Sequence, residues 1–265
     1  QQVDEKLVEV EPGIRCWREN RAIDSVGLYI PGGNAVLPST VLMLGIPAQI
    51  AGCKRIALCV PPQKDCTVTA EVLVAARIVG IREVFKIGGA QAIAALAAGT
   101  ETVAGVDKIL GPGNRWVQAA KLLATLRGVA IEMVAGPSEV LIVADGSAKS
   151  EWIACDLVSQ AEHGVDSRAI LATTSEQLLE EVGQLVWRFI EDLPLRDLAE
   201  QSLKESFNLL VSSLDEALVF ANQYAPEHLI LQVNNPEQWV SRVQNAGSVF
   251  LGSWSPEVAG DYASG

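Results

Sequence analysis

Imidazole is almost missing from this chain. Two histidines in 265 residues mean that histidine is not spread about as a generic polar group. Positive charge is also short: 20 Lys and Arg against 32 Asp and Glu leave a net charge of −12, which removes any electrostatic reason to bind nucleic acid or an anionic membrane. No apolar stretch is long enough to span a bilayer, and no basic-plus-apolar secretory leader opens the chain. The five cysteines are odd in number and none has CxxC spacing, which favours reduced thiols in a cytoplasmic protein over a disulfide or cysteine–metal role. There is no GxGxxG fingerprint; Gly111-Pro112-Gly113-Asn114 comes nearest, and its proline and spacing do not match. Motif logic alone therefore gives little reason to expect a nicotinamide cofactor. No Gly-x-Ser-x-Gly elbow occurs and no Ser–His–Asp triad is visible, so serine hydrolysis is disfavoured.

What is present is an ordinary globular chain, 49% hydrophobic and 20% charged, long enough for one large α/β domain or two smaller ones. Short β-branched runs alternate with longer helical patterns. Strands are expected at 26–30, 55–60, 83–87, 107–110, 139–143, 168–173, 208–211, 229–233 and 248–251. Helices are expected at 39–51, 68–79, 91–98, 115–126, 151–163, 176–190, 214–223 and 236–245. This alternation predicts parallel sheets wound with helices on both faces, and near-continuous apolar strands such as Val140-Leu141-Ile142-Val143 fit burial on both sides. Ligands of such folds bind beyond the carboxyl ends of the strands. Gly32-Gly33, Gly88-Gly89, Gly111 with Gly113, and Gly136 are expected to crowd those ends as a ligand rim; the alternative is that they only make tight turns. The polar start without Met, and the turn-like Gly260-Asp261-Tyr262-Ala263-Ser264-Gly265 at the end, suggest a piece of a longer protein.

Each histidine directly follows a glutamate. Gln160 and His163, three apart near the end of a helical pattern, share a face; an amide oxygen and an imidazole nitrogen there can grip a divalent metal, usually with a carboxylate added. The plainer alternative is a helix-end histidine that bonds carbonyls. Glu227-His228 follows Pro226, which should hold Ala225 extended and fix a bend at a strand start. His228 is then a candidate general base and Glu227 a candidate for activating water, against a surface carboxylate and a half-buried ring. Taken alone, Asp261 reads as a turn residue after glycine and Ser138 as a turn or helix-capping serine.

Taken together, Gly27-Leu28-Tyr29-Ile30-Pro31-Gly32-Gly33, Gly88-Gly89-Ala90-Gln91-Ala92-Ile93-Ala94, Gly111-Pro112-Gly113-Asn114, Ala135-Gly136-Pro137-Ser138-Glu139, Ser159-Gln160-Ala161-Glu162-His163-Gly164, Pro226-Glu227-His228-Leu229 and Gly260-Asp261-Tyr262-Ala263-Ser264-Gly265 resemble, in this order, the histidinol dehydrogenase family, from about residue 10 to the end. The resemblance implies oxidation of L-histidinol to L-histidine through the aldehyde, by two successive hydride transfers to NAD, at the close of histidine biosynthesis. It implies a zinc ion, for which manganese could substitute, on Gln160, His163 and Asp261. It implies catalytic Glu227 and His228, substrate contacts from Ser138, Gln160, His163, His228 and Asp261, and NAD contacts from Tyr29, Gln91 and Asn114. It implies two Rossmann-like doubly wound parallel-sheet units, one inserted in the other: residues 29–137 on the NAD side, with 1–28 and 138–265 making the second. Family members continue past residue 265, where a further zinc-ligating histidine and substrate contacts come from the partner of a homodimer. The expected location is the cytoplasm, or a plastid in a plant. Two rivals stand beside this: a family relative that oxidises another alcohol, such as a sulfonated diol, and a non-catalytic or inactive truncated form.

Overall fold

The computed structural model describes residues 7–32, 37–132 and 136–260. The chain divides into two compact units, Gln1–Ala135 and Gly136–Gly265. The first opens with a hairpin, β1 (Val8–Glu11) and β2 (Ile14–Cys16), and continues with β3 (Ser25–Tyr29), α1 (Pro38–Ile50), β4 (Arg55–Cys59), α2 (Ala70–Val79), β5 (Glu83–Phe85), α3 (Gly89–Ala98), β6 (Lys108–Leu110), α4 (Arg115–Thr125) and β7 (Ala130–Ile131). The second runs through β8 (Glu139–Ala144), α5 (Ser150–Ala161), β9 (Arg168–Thr173), α6 (Glu176–Ile190), α7 (Arg196–Lys204), β10 (Asn208–Leu210), α8 (Leu214–Tyr224), β11 (His228–Gln232), α9 (Glu237–Val240), β12 (Ser248–Leu251) and a 3₁₀ turn at Glu257–Ala259.

Both five-stranded sheets are parallel throughout, as the alternation of strands and helices demands. Their orders, β5-β4-β3-β6-β7 and β10-β9-β8-β11-β12, are the same order once each unit is counted from its own first sheet strand. The chain reverses its direction of travel across the sheet between β3 and β6 in one unit and between β8 and β11 in the other; such a switch point opens a crevice. The central strands β3, β4, β8, β9 and β11 bury both faces. Val140, Ile142 and Ala144 pack with Ile153, Leu157 and Val182, while Leu141 and Val143 between them pack with Leu218, Ala221 and Leu229. Each such aliphatic side chain contributes roughly 1.5–3 kcal/mol by leaving water, which is why these strands carry no polar face. No helix of the described residues is long and apolar enough to cross a membrane.

Five elements differ from the sequence pattern. The hairpin β1–β2 was not expected, although Val8-Glu9-Val10-Glu11 alternates and Gly13 turns it with φ +86°. Helix α7 and the short β7 were also not expected. The helix expected at 236–245 stops at Val240, because the Asn222 side chain takes over the next backbone groups: its Oδ1 accepts from Gln244 N at 2.7 Å and its Nδ2 donates to Arg242 O at 2.9 Å.

Candidate functional site

In the second unit, the amino ends of β8 and β11 meet at the switch point, with His228 in register with Val140. Helix α8 stops at Tyr224, and Ala225 ends it in the left-handed region (φ 55°, ψ 60°). The extended conformation expected before Pro226 is therefore not adopted: the Ala225 N–H closes the last helical turn onto Ala221 O at 2.8 Å, and that bond holds a conformation a Cβ disfavours. The chain then turns sharply into Glu227. Gly247 lets it pass, since a Cβ there would lie 2.6 Å from the Glu227 carbonyl oxygen, which accepts from Ser248 N at 2.8 Å.

The peptide groups of Glu139 fix both candidate catalytic side chains. Its N–H donates to Glu227 Oε2 at 3.1 Å, and its carbonyl oxygen lies 3.2 Å from His228 Nδ1. A carbonyl oxygen can only accept, so Nδ1 carries the proton and Nε2 is left as the basic nitrogen. Two carboxylates flank the ring, Glu227 Oε2 at 3.7 Å and Glu257 Oε1 at 3.9 Å from Nδ1, and the Phe250 ring packs against it with centroids 5.9 Å apart. The Glu139 side chain accepts from the Tyr224 hydroxyl at 3.0 Å, and burial first, that carboxylate second, pushes the phenol up to about 12. Glu139, Tyr224 and Glu257 escaped the sequence reading. Glu139 acts through main-chain groups that any residue type would supply, so no residue-type signal marked it.

Helix α5 runs back from the carboxyl end of β8 toward the amino end of β9, so Gln160 in its last turn and His163 just after it lie at the same edge of the sheet as His228. Gln160 is fully buried, and among the described residues neither its Oε1 nor its Nε2 has a hydrogen-bond partner. Leaving such groups unsatisfied costs about 1–3 kcal/mol, a cost that a cation taking the amide oxygen would offset. His163 is exposed, and its Nδ1 meets Ser159 O at 3.0 Å, which by the same argument presents Nε2 as the ligating nitrogen. These two side chains fit an N/O metal set. Asp261 lies outside the described residues; Gly260 before it packs on the Phe250 ring, where a Cβ would come within 2.9 Å. Among the described residues no three His, Cys, Asp or Glu side chains form a metal-holding group, and the implied set holds only one such residue besides Asp261. Ser138 directly precedes β8, its carbonyl oxygen accepting from Arg168 N at 3.1 Å.

In the first unit the residues gather at the carboxyl ends of the strands. Tyr29 closes β3, buried, with its hydroxyl accepting from Gly89 N at 3.0 Å. Gln91 is exposed in the first turn of α3, and exposed Asn114 caps α4, its Oδ1 accepting from Trp116 N and Val117 N at 3.1 and 3.2 Å. The amide NH₂ of Asn114 lies outside that cap, so two helix N-termini, each suited to anions, flank Tyr29. Gly33 lies outside the described residues; of the described glycines here, a Cβ at Gly88 would stand 2.4 Å from Pro61 Cγ, and one at Gly111, whose φ is +127°, would stand 2.0 Å from the Tyr29 carbonyl oxygen. Gly136 does not belong to this rim; it precedes β8, at the amino end of the other sheet. Sequence reasoning missed the buried Lys121, which donates to Gly111 O and to the Glu132 carboxylate.

The profile of a family described as histidinol dehydrogenase matches residues 1–265. The chain is 56% identical over 265 residues to the histidinol dehydrogenase of Bacteroides fragilis strain YCH46, covering 100% of the chain and 62% of that protein. The crystal structure of histidinol dehydrogenase from Elizabethkingia anophelis superposes with a TM-score of 0.94 at 50% identity, over 100% of this chain and 61% of that one. An NAD-dependent aldehyde dehydrogenase from Sinorhizobium meliloti shares the fold, at a TM-score of 0.60 and 14% identity, over 94% of this chain and 63% of that one. The chain thus spans about three fifths of the length of the curated relatives it matches.

Proposed function

The chain belongs to the histidinol dehydrogenase family, and from that membership we propose that it carries the chemistry by which L-histidinol is oxidised to L-histidine, with NAD as hydride acceptor in two successive steps. The observation that carries this reading is the double hold of Glu139, whose N–H orients Glu227 and whose carbonyl leaves His228 Nε2 as the base.

In the first step Nε2 of His228 takes the alcohol proton as hydride leaves the carbinol carbon for NAD. The imidazolium so formed is balanced by the Glu227 and Glu257 carboxylates beside it. In the second, Glu227, half exposed and so reached by water, takes a proton from the water that attacks the aldehyde. The His228 imidazolium returns its proton to the aldehyde oxygen as water adds, and Nε2, free again, takes a hydroxyl proton of the hydrate while the second hydride departs. One alcohol, one water and two NAD give one carboxylate, two NADH and three protons. Zinc or manganese held by Gln160, His163 and Asp261 would supply charge that positions the substrate's nitrogens. Ser138 would contact substrate; Tyr29, Gln91 and Asn114 would contact NAD. The boundary read at 28/29 falls within β3, whose residues 25–28 pair with β4 and β6 in the first sheet, so we assign only the residues before β3 to the substrate unit. The whole protein would be a cytoplasmic homodimer whose partner chain adds a further zinc-ligating histidine.

The test is NADH formation from L-histidinol against a dihydroxy sulfonate, with metal analysis alongside. Two NADH per L-histidinol and bound zinc are expected. Activity on the sulfonate alone would transfer the chain to the rival alcohol, and absence of both metal and NADH would leave a non-catalytic protein.

A further inference from the structure

The Gly111-Pro112-Gly113-Asn114 loop follows β6 at the carboxyl edge of the first sheet, next to the end of β3, with which β6 pairs. Both peptide groups of Gly111 are gripped. Its N–H donates to the two carboxylate oxygens of Glu132 at 3.2 Å each, and its carbonyl accepts from Lys121 Nζ, which also pairs with that carboxylate. Lys121 is 1% exposed. Burying an ammonium is expensive, and well-packed apolar side chains in place of a buried ion pair are often as stable or more so, so a loop that needed only to turn has no use for this pair. The same Gly111 lies against the main chain of Tyr29, and three residues on Asn114 caps α4. The lysine also cancels the charge of a carboxylate that is about one third exposed at this edge, so the edge does not repel a ligand carrying phosphates.

We propose that Lys121 and Glu132 are positioning residues for the dinucleotide: they clamp Gly111 so that Tyr29 and Asn114 stand at the spacing the cofactor needs. This rests on the reading of Tyr29 and Asn114 as NAD contacts. The double variant Lys121→Met with Glu132→Gln removes both charges together and so leaves none stranded in the interior. Calorimetric titration of the full chain with NADH should show an affinity at least about tenfold weaker in this variant, the scale of loss that follows from a misplaced binding group. The affinity for L-histidinol, assigned to the other unit, should be unchanged. The single variant Glu132→Gln should weaken NADH binding in the same direction. A folded double variant that binds NADH as tightly as the unsubstituted chain would overturn the inference, as would a parallel loss of both affinities, which would mark the pair as structural only. Failure of the unsubstituted chain to bind NADH would overturn the cofactor reading itself and this inference with it.

Discussion

Around the paired strands β3 and β6 the first unit's candidate residues stand at the carboxyl ends; around the corresponding pair β8 and β11 the second unit's stand at the amino ends. The strand order is the same, so topology does not choose the edge. What differs is which edge each unit closes with its own side chains. The first ties its strands together at the amino edge: Ser25 Oγ donates to Asp107 at 2.6 Å, and Arg55 pairs with Glu83 at 2.8 Å. The second seals its carboxyl edge: Asp145 accepts from Asn234 N at 2.9 Å and from Ser147 N at 2.9 Å, and Asp156 accepts from Gln232 Nε2 at 3.1 Å. An open edge of main-chain groups and helix N-termini suits a dinucleotide. An open edge with imidazoles, a carboxylate and an orphaned amide suits proton transfer and a cation.

The sharpest way to break this division is to remove its base. His228→Asn should lower NADH production from L-histidinol by about a thousandfold, within the range for a general base, while NADH binding stays intact; a matching loss of NADH affinity would deny the separation. Glu227→Gln should spare the alcohol step and slow the aldehyde step, which single-turnover kinetics from each substrate can separate. On the opposite edge, Gly111→Ala forces a Cβ against the Tyr29 carbonyl at a φ that L-residues avoid. Strain of about 1–3 kcal/mol, together with the displacement, should weaken NADH binding more than tenfold and leave the acid–base step of bound substrate as it was.

Gln160→Leu tests the cation reading by opposite signs. With both amide atoms buried and unpartnered among the described residues, the metal-free chain should gain about 1–2 kcal/mol in unfolding free energy, while zinc affinity drops at least about tenfold. Destabilisation of the metal-free chain would mean that the amide is used otherwise. Tyr224→Phe is milder. It removes one donor to Glu139, worth about 1 kcal/mol, and should cost a few-fold in turnover. With the phenol pushed up to about 12, the wild-type hydroxyl stays a donor through the working range, so the ratio of the two rates should not change between pH 7 and 10.

Much of this was legible because buried parallel strands write themselves as apolar runs. Val140–Val143 and Leu229–Leu231 are both strand core, as their composition demands. Gln160, His163, Glu227 and His228 stand out as candidates because so few imidazoles compete for attention. What stayed hidden acts through main chain or through distant partners. Glu139 works by its peptide groups, Lys121 finds Glu132 only after α4 and β7 are laid side by side, and the left-handed Ala225 contradicts what Pro226 predicts locally because helix closure wins there. The choice of edge was hidden too, since sealing pairs such as Asp156 with Gln232 are 76 residues apart.

That last pair gives the smallest effect and the most direct probe of a closed edge. Burial raises the Asp156 carboxyl from 3.8 to about 6, against the opposing hydrogen bond from Gln232. The folded chain therefore holds this proton more tightly than the unfolded one. Its contribution is fully present below about pH 4 and is lost as pH rises through about 6, leaving a buried carboxylate as a penalty at neutrality. Asp156→Asn keeps an acceptor for Gln232 but cannot ionise. The variant should match the parent near pH 4 and exceed it by about 1 kcal/mol at pH 7–8, after allowing for solvent screening at a half-buried group. Thermal unfolding of both proteins across that range reads the difference directly. If the gap does not open with pH, Asp156 is solvated, the carboxyl edge of the second unit is as accessible as its amino edge, and the contrast between the two units loses its physical basis.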